Sequence, residues 1–221
     1  MRSTRLLGAA ILSSAALIAV GVTTAAANAA SSRDLNVSYS KVIKYEKFSA
    51  FGTLSTHKIR TVKLQYRNHT DDSWTTKSTQ QSSLSGNFEF ALTTSRSRYY
   101  RFYAPPSGGD PAISGYSRKV TVVAQSVTFF AVTPSFQCSN DAGNITMFAH
   151  FYPARPYRSV HFATFGVSRQ AYQDGKGNAA VNFYPGTAEY SFPAVATTDL
   201  ASGAPAKSSA PFTYSQSFCN F

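Results

Sequence analysis

A pattern that recurs after about 90 residues constrains the fold of this chain more than any other sequence feature. Gly86-Asn87 returns 91 positions later as Gly177-Asn178, and a Y-x-F-x-A pattern that starts at Tyr100 starts again at Tyr190. A period of this length indicates tandem copies of one domain, because solenoid repeats are only 20–50 residues long. We therefore predict one domain over residues 30–124 and a second over residues 125–221.

The hydrophobic pattern within each copy predicts strands. Short runs rich in Val, Phe, Tyr and Thr alternate apolar with polar residues and are separated by Gly, Pro, Asn, Asp and Ser. Seven strands are predicted in the first half, starting at Asn36, Lys44, Thr61, Ser73, Gly86, Ser97 and Ser117. Seven more are predicted in the second half, starting at Val127, Asn144, Tyr157, Ser168, Asn178, Ala188 and Ala210. The predicted fold class is all-β, with two tandem antiparallel sandwiches.

Alternation along the strands also predicts the core of the first half. Side chains two residues apart share one face of a strand, so one set must face the opposing sheet. The predicted core residues are Val62, Leu64, Tyr66, Phe88, Phe90, Tyr100 and Phe102.

Several of these segments resemble a known family. FSAFGTLS, the V-x-L-x-Y-R run from Val62, SWTT from Ser73, SGNFEFAL from Ser85 and RYYRFYA from Arg98 are similar to the bacterial immunoglobulin-like domains of secreted actinobacterial proteins. The resemblance covers residues 35–123 and implies an immunoglobulin-like or fibronectin-III-like sandwich. It departs from the family at SSLSG, which lacks the acidic residue of the usual D-x-x-G turn. The second half resembles the family more loosely.

The start of the chain predicts export. Arg2 and Arg5 precede an apolar run that ends in small residues near Ala29, the order of a secretory signal peptide. The apolar run is shorter than the ~20 residues that a membrane span requires. We expect residues 1–29 to be removed and the mature chain to be secreted to the extracellular space. In that oxidising environment, Cys138 and Cys219 are expected to form a disulfide.

Positive charge is concentrated in the first half. Residues 31–124 hold 14 basic and 6 acidic residues, whereas residues 125–221 hold 5 and 4. We therefore expect the first half to make most contacts with an anionic partner.

The sequence contains no recognisable catalytic centre. Nucleophile motifs, metalloprotease motifs and Gly-rich phosphate loops are absent, so we expect neither enzymatic activity nor a cofactor. The four histidines lack the spacing of metal ligands, and no metal site is predicted. Asp174–Asn178 fits either a calcium loop or a β-turn, and its residue types favour the turn.

The most suggestive surface residues lie in and before one strand. We predict that Tyr99, Arg101 and Tyr103 face outward, with Arg96 and Arg98 nearby. Such a face could stack on sugars or bind an anionic cell-envelope polymer. The alternative, which the residue types favour, is a solvated face that uses Tyr and Arg for cross-strand pairing. Further positive charge would come from Lys58, Arg60, Lys63 and Arg67 if a neighbouring strand shares the face.

The turn-rich segment 104–117 is either an exposed binding loop or an inert connection. An inhibitor would use such a loop, but no cysteine frames it to make its presentation rigid. The favoured function is a secreted, non-enzymatic binding or structural protein at or near the bacterial cell envelope. The alternatives are a secreted inhibitor of a protease or other enzyme and a carbohydrate-binding module, for which Trp74 alone is a poor platform. An anionic polymer, a glycan or a protein are the candidate partners.

Overall fold

Alternating apolar residues form β-strands throughout the described part of the chain. The computed structural model describes residues 33–132, 145–164, 166–183 and 190–216. These described residues belong to one compact unit. Within these ranges each predicted strand overlaps an observed one, and the predicted all-β sandwich architecture is confirmed.

The first half contains nine strands in two sheets. They are β1 (Asn36–Val37), β2 (Lys41–Ile43), β3 (Phe48–Thr53), β4 (Thr61–Arg67), β5 (Thr75–Gln81), β6 (Asn87–Leu92), β7 (Arg98–Ala104), β8 (Ile113–Ser114) and β9 (Arg118–Val123). One sheet has the order β1-β3-β6, and the other has the order β2-β9-β7-β4-β5 with β8 paired to β7. This distribution of strands is that of an immunoglobulin-like sandwich.

The strand predicted from Asn36 is divided between the two sheets. β1 pairs antiparallel with β3, whereas β2 pairs parallel with β9. Ser38 lies at the change of sheet: its N–H donates to the Ser49 carbonyl, and its hydroxyl accepts the Ser49 N–H. The prediction missed this division and the two-residue strand β8.

The second half repeats the two-sheet arrangement. Its strands are β10 (Ser126–Val132), β11 (Ile145–Tyr152), β12 (Ser159–Thr164), β13 (Val167–Tyr172), β14 (Asn178–Phe183), β15 (Tyr190–Thr198), β16 (Lys207–Ser208) and β17 (Phe212–Gln216). One sheet is β10-β11-β14, and the other is β13-β12-β15 with β16 and β17 both paired to β15.

Each half has its own hydrophobic core. One cluster draws its residues from 35–122 and the other from 127–212. The predicted core residues of the first half are buried, with the exception of Tyr66, which is half-buried. The guanidinium of Arg98 lies 4.3 Å from the centroid of the Tyr66 ring and covers it.

The repeated Gly-Asn pair closes an equivalent turn in both halves. Gly86 and Gly177 have φ values of 81° and 89°, a region that glycine adopts without steric cost. The carboxylate of Asp174 accepts N–H bonds from Asn178 and Lys176, and these bonds, chiefly those from Asn178, hold the pKa of Asp174 below its usual value. Asp174–Asn178 is therefore the β-turn that its residue types favoured.

A buried arginine fixes the corresponding loop in each half. Arg60 donates from Nη2 to the carbonyls of Pro105 and Pro111, at 2.6 and 2.8 Å. Arg158 donates in the same way to the carbonyls of Asp199 and Pro205, both at 2.7 Å. Arg60 is only 2% exposed, so the expectation that it adds charge to the surface is wrong.

The hydrogen bonds of Arg60 also show how the loop at 104–117 is held. Arg60 binds two of its carbonyls, and Lys58 forms an exposed ion pair of 3.2 Å with Asp110 in the loop. Within the loop, β8 pairs with β7. The loop is therefore held in place without a cysteine.

The two halves are joined by a buried ion pair. Arg155 donates from Nε and Nη2 to the two carboxylate oxygens of Glu46, each at 2.5 Å. The Glu46 and Arg155 side chains are 3% and 9% exposed. Nearby, the Lys47 N–H donates to the Ser202 carbonyl at 2.7 Å, so backbone atoms of both halves also meet.

Glu46→Ala is expected to lower the free energy of unfolding by about 3–5 kcal/mol, because it leaves the buried Arg155 charge without a partner. Urea unfolding measures this loss. The matched control is Lys58→Ala, which removes an exposed ion pair and should cost less than about 1 kcal/mol. Equal effects of the two substitutions would show that the pair between the halves is not a principal contact.

We propose that residue 125 divides the chain into two folding units, since the two core clusters lie on either side of it. A chain of residues 31–125 should give a near-ultraviolet circular dichroism spectrum and one cooperative thermal transition. A spectrum without signal and no transition would contradict this division.

Candidate functional site

The outer face of the sheet β2-β9-β7-β4-β5 brings the predicted aromatic and basic residues together. Tyr99, Arg101 and Tyr103 are half-buried and alternate along β7 with the fully buried Tyr100 and Phe102. The three therefore point away from the core, on the face opposite to it.

Cations and aromatic rings alternate across this face. The guanidinium carbons of Arg101 and Arg67 lie 4.4 and 4.5 Å from the centroid of the Trp74 ring. Arg67 also lies 5.8 Å from the centroid of Tyr99, and the Lys119 Nζ lies 5.5 Å from the same centroid. We call Lys119, Tyr99, Arg67, Trp74 and Arg101 the cation–aromatic row.

Strand register explains why these residues meet. β4 and β7 are antiparallel neighbours in which Arg67 lies opposite Tyr99 and Gln65 lies opposite Arg101. The Arg101 Nε donates to the Gln65 Oε1 at 2.8 Å. On the other side of β7, Lys119 lies opposite Tyr99.

Trp74 reaches the row from the segment before β5. It immediately precedes Thr75, the first residue of that strand, and Thr75 lies opposite Tyr66 on β4. This position places the indole beside the end of β4, where Arg67 is the last strand residue.

The row holds positive charge without an acidic partner in the described part of the chain. The ion pairs found there are Lys58–Asp110, Arg118–Asp34, Arg155–Glu46 and His161–Asp199. Partial burial and the adjacent Arg67 charge lower the pKa of Arg101 below its usual value. The guanidinium nevertheless keeps its charge at neutral pH.

Arg67 has unused hydrogen-bonding capacity. Its Nε is buried and finds no acceptor among the described residues. A buried N–H without an acceptor is costly, so this atom is an unsatisfied polar group within the row.

A cleft of about 650 Å³ adjoins one end of the row. It contains Arg96, which the sequence singled out, together with two members of the row. Its lining residues are Asn68, His69, Thr70, Asp71, Arg96, Ser97, Tyr99 and Lys119. Asp71 is the single carboxylate in this lining.

The other predicted site residues have separate locations. Arg98 covers the Tyr66 ring on the core side of β7, so it lies apart from the row. Lys63 lies opposite Tyr103 in the register of β4 and β7. Cys138 and Cys219 lie outside the described residues, so their disulfide stays a prediction.

Three members of the site were missing from the sequence-based set of site residues: Trp74, Gln65 and Lys119. These residues are identified by the pairing of strands and not by any local sequence motif. Once β4, β7 and β9 are known to be neighbours, alternation alone places Gln65 and Lys119 on the face of Arg101.

Within the described ranges, we find no helix long and apolar enough to cross a membrane. The same part of the chain brings no three His, Cys, Asp or Glu side chains close enough together to bind a metal ion.

No protein-family profile and no curated protein sequence matches this chain. Similar solved structures include the tetra-tandem repeat in the extending region of a large adhesion protein, with 13% identity and a TM-score of 0.36, covering 83% of this chain and 49% of that one. The human OSCAR ligand-binding domain has 11% identity and a TM-score of 0.43, covering 82% and 96%. The fibronectin(III)-like modules of Clostridium thermocellum CbhA have 13% identity and a TM-score of 0.37, covering 81% and 91%. This chain thus spans about half the length of the adhesion-protein repeat. The low identities and TM-scores of all three structures indicate no function for this chain.

Arg101→Ala should change the fluorescence of Trp74, the single tryptophan of the chain, because it removes a cation packed on the indole. Quenching by acrylamide should increase, while the melting temperature should change little, since a cation–π contact at an exposed site contributes about 0.5–1 kcal/mol. The control is Arg169→Ala, an exposed arginine on β13. Identical emission and quenching in all three proteins would contradict the stacking.

Proposed function

We propose that this chain is an exported, non-enzymatic binding protein that acts at or near the bacterial cell envelope. The first half makes the main contact, and the ligand is a linear anionic polymer of the envelope. The cation–aromatic row supports this proposal most directly, because it holds three cations close together without a neutralising carboxylate among the described residues.

Charge distribution supports the same conclusion. The first half has an excess of eight positive charges over its acidic residues, against an excess of one in the second half. A positive field of this kind attracts polyanions, and contacts with successive anionic groups release condensed counterions.

The side-chain types favour phosphate-like groups over uncharged sugars. Arg67 and Arg101 both lie within 4.5 Å of the Trp74 ring centroid, so protein cations already occupy this ring. The ring contacts both planar guanidinium groups, and Gln65 accepts a hydrogen bond from that of Arg101. Guanidinium binds phosphate or carboxylate through two parallel hydrogen bonds.

A carbohydrate-binding role is the second candidate, and it is supported by a feature of the second half. Phe130 and Phe148 stack with their ring centroids 5.2 Å apart and their planes inclined by 16°, and Phe130 is 45% exposed. They border a cavity of about 370 Å³ with His150, Asp174 and Asn178 on its rim. An exposed aromatic surface beside hydrogen-bonding groups suits a sugar ring.

Binding of the mature chain to an anionic polymer should weaken steeply as salt is added, because the affinity comes from counterion release. Replacing Arg67 and Arg101 by Ala should lower the affinity and reduce the slope of log affinity against log salt by about one per arginine. Fluorescence anisotropy with a labelled anionic polymer measures both quantities.

The exposed Arg169→Ala variant should leave the affinity close to that of the unchanged chain. A salt-tolerant interaction, or equal losses in the row and control variants, would contradict the assignment of the row as the contact.

A further inference from the structure

The positive face does not end at the cation–aromatic row. β2 lies at the edge of the same sheet and pairs with β9, so that Lys41 lies opposite Thr121. Lys119 is two residues before Thr121 and therefore shares its face of β9. Neighbouring strands are about 4.8 Å apart and two residues span about 6.6 Å, which places the Cα atoms of Lys41 and Lys119 about 8 Å apart.

A groove adjoins the edge strand β2 at Lys41. The Lys41 Nζ lies 5.3 Å from the centroid of the Tyr152 ring in the second half, which repeats the cation–aromatic pairing of the row. The groove has a volume of about 450 Å³. The residues that line it include Tyr39, Lys41, Tyr152, Arg155 and Lys176, and the lining holds no carboxylate.

The ion pair between the halves fixes this groove. Arg155 donates from Nη2 to the Lys41 carbonyl at 2.9 Å, and its guanidinium lies 4.2 Å from the centroid of Tyr39. The same arginine is bonded to Glu46 of the first half. Lys41 in the first half and Tyr152 in the second half are therefore held in a fixed relative position by this ion pair.

The acidic group closest in sequence to Lys176 neutralises the positive charge of the groove only weakly. Asp174 lies outside the groove lining, and its carboxylate accepts hydrogen bonds from Lys176 N, Asn178 N and Asn178 Nδ2. These N–H donors compensate part of its negative charge.

We propose that one linear phosphate polymer runs across both halves, from the cation–aromatic row over Lys41 into the groove, where Lys176 makes the last contact. This inference rests on the proposed function and adds the path, the chemistry of the ligand and the participation of the second half. Phosphate is inferred because lysine and arginine line the whole path and because guanidinium groups match its oxygens in pairs.

The path is long compared with a small anion. The path crosses the five strands from β5 to β2, and their four spacings correspond to about 19 Å before the groove begins. A short phosphate chain can therefore occupy one part of the path, whereas only a long chain can occupy all of it.

The test compares two ligands by isothermal titration calorimetry of the full mature chain: tripolyphosphate and long-chain inorganic polyphosphate. Replacing Lys41 and Lys176 by Ala should weaken long-chain binding by about tenfold at low salt and reduce its salt slope by about two. Tripolyphosphate binding should fall by less, because a short chain can still bind along the cation–aromatic row. The control is the double replacement of Arg169 and Lys207 by Ala, which removes the same charge elsewhere and should alter neither affinity.

Unchanged binding of long-chain polyphosphate to the Lys41 and Lys176 variant would overturn the path, and so would an equal loss for both ligands. Tighter binding of poly-glutamate of matched length would overturn phosphate in favour of an acidic peptide. Failure of the proposed function is distinguishable, because it would appear as unchanged binding of both ligands when Arg67 and Arg101 are replaced by Ala. Melting temperatures equal to that of the unchanged chain ensure that the variants are folded.

Discussion

The ion pair between Glu46 and Arg155 is the interaction on which the arrangement of the two halves depends. Burial of two charges is unfavourable unless both are fully satisfied. Here Glu46 accepts two bonds from Arg155 and one from the Ile43 N–H, while Arg155 also donates to the carbonyls of Lys41 and Ala154. Such a network tolerates little displacement, because a shift of either half would break several charged hydrogen bonds at once. The basic sheet face and the groove therefore keep one relative position.

The two halves use the same structural devices for different purposes. Arg60 and Arg158 each hold a loop by its carbonyls, but the loop tips differ in what they meet. In the second half, the Ser202 carbonyl accepts the Lys47 N–H, and a Cβ on Gly203 would lie only 2.8 Å from the Tyr45 carbonyl oxygen. Glycine allows that close approach. In the first half, a Cβ on Gly109, which holds the same place in its loop, would meet nothing within 4 Å. One loop of the repeat has thus become part of the contact between the halves.

Local pattern predicted the strands and the core, because alternation with a period of two is a property of each strand alone. It could not predict the division of the first strand, which depends on bonds between Ser38 and Ser49. Nor could it predict the buried position of Arg60, since arginine is usually exposed and only the loop carbonyls explain its burial.

The candidate site was predictable in part for the same reason. Alternation along β7 placed Tyr99, Arg101 and Tyr103 on one face. The addition of Trp74 and Lys119 required knowledge of which strands are neighbours. Glu46 and Arg155 are 109 residues apart in sequence, and no local motif predicts their contact.

Chemical-shift mapping by nuclear magnetic resonance, with long-chain polyphosphate added to the mature chain, would show which residues of the two halves contact the polymer. If one polymer crosses both halves, we expect shifts of the Trp74 indole N–H and of amides on β4, β7 and β9, accompanied by shifts at Gly175 and Lys176 in the second half. Shifts confined to the Phe130 and Phe148 surface, or no shifts at all at low salt, would contradict it.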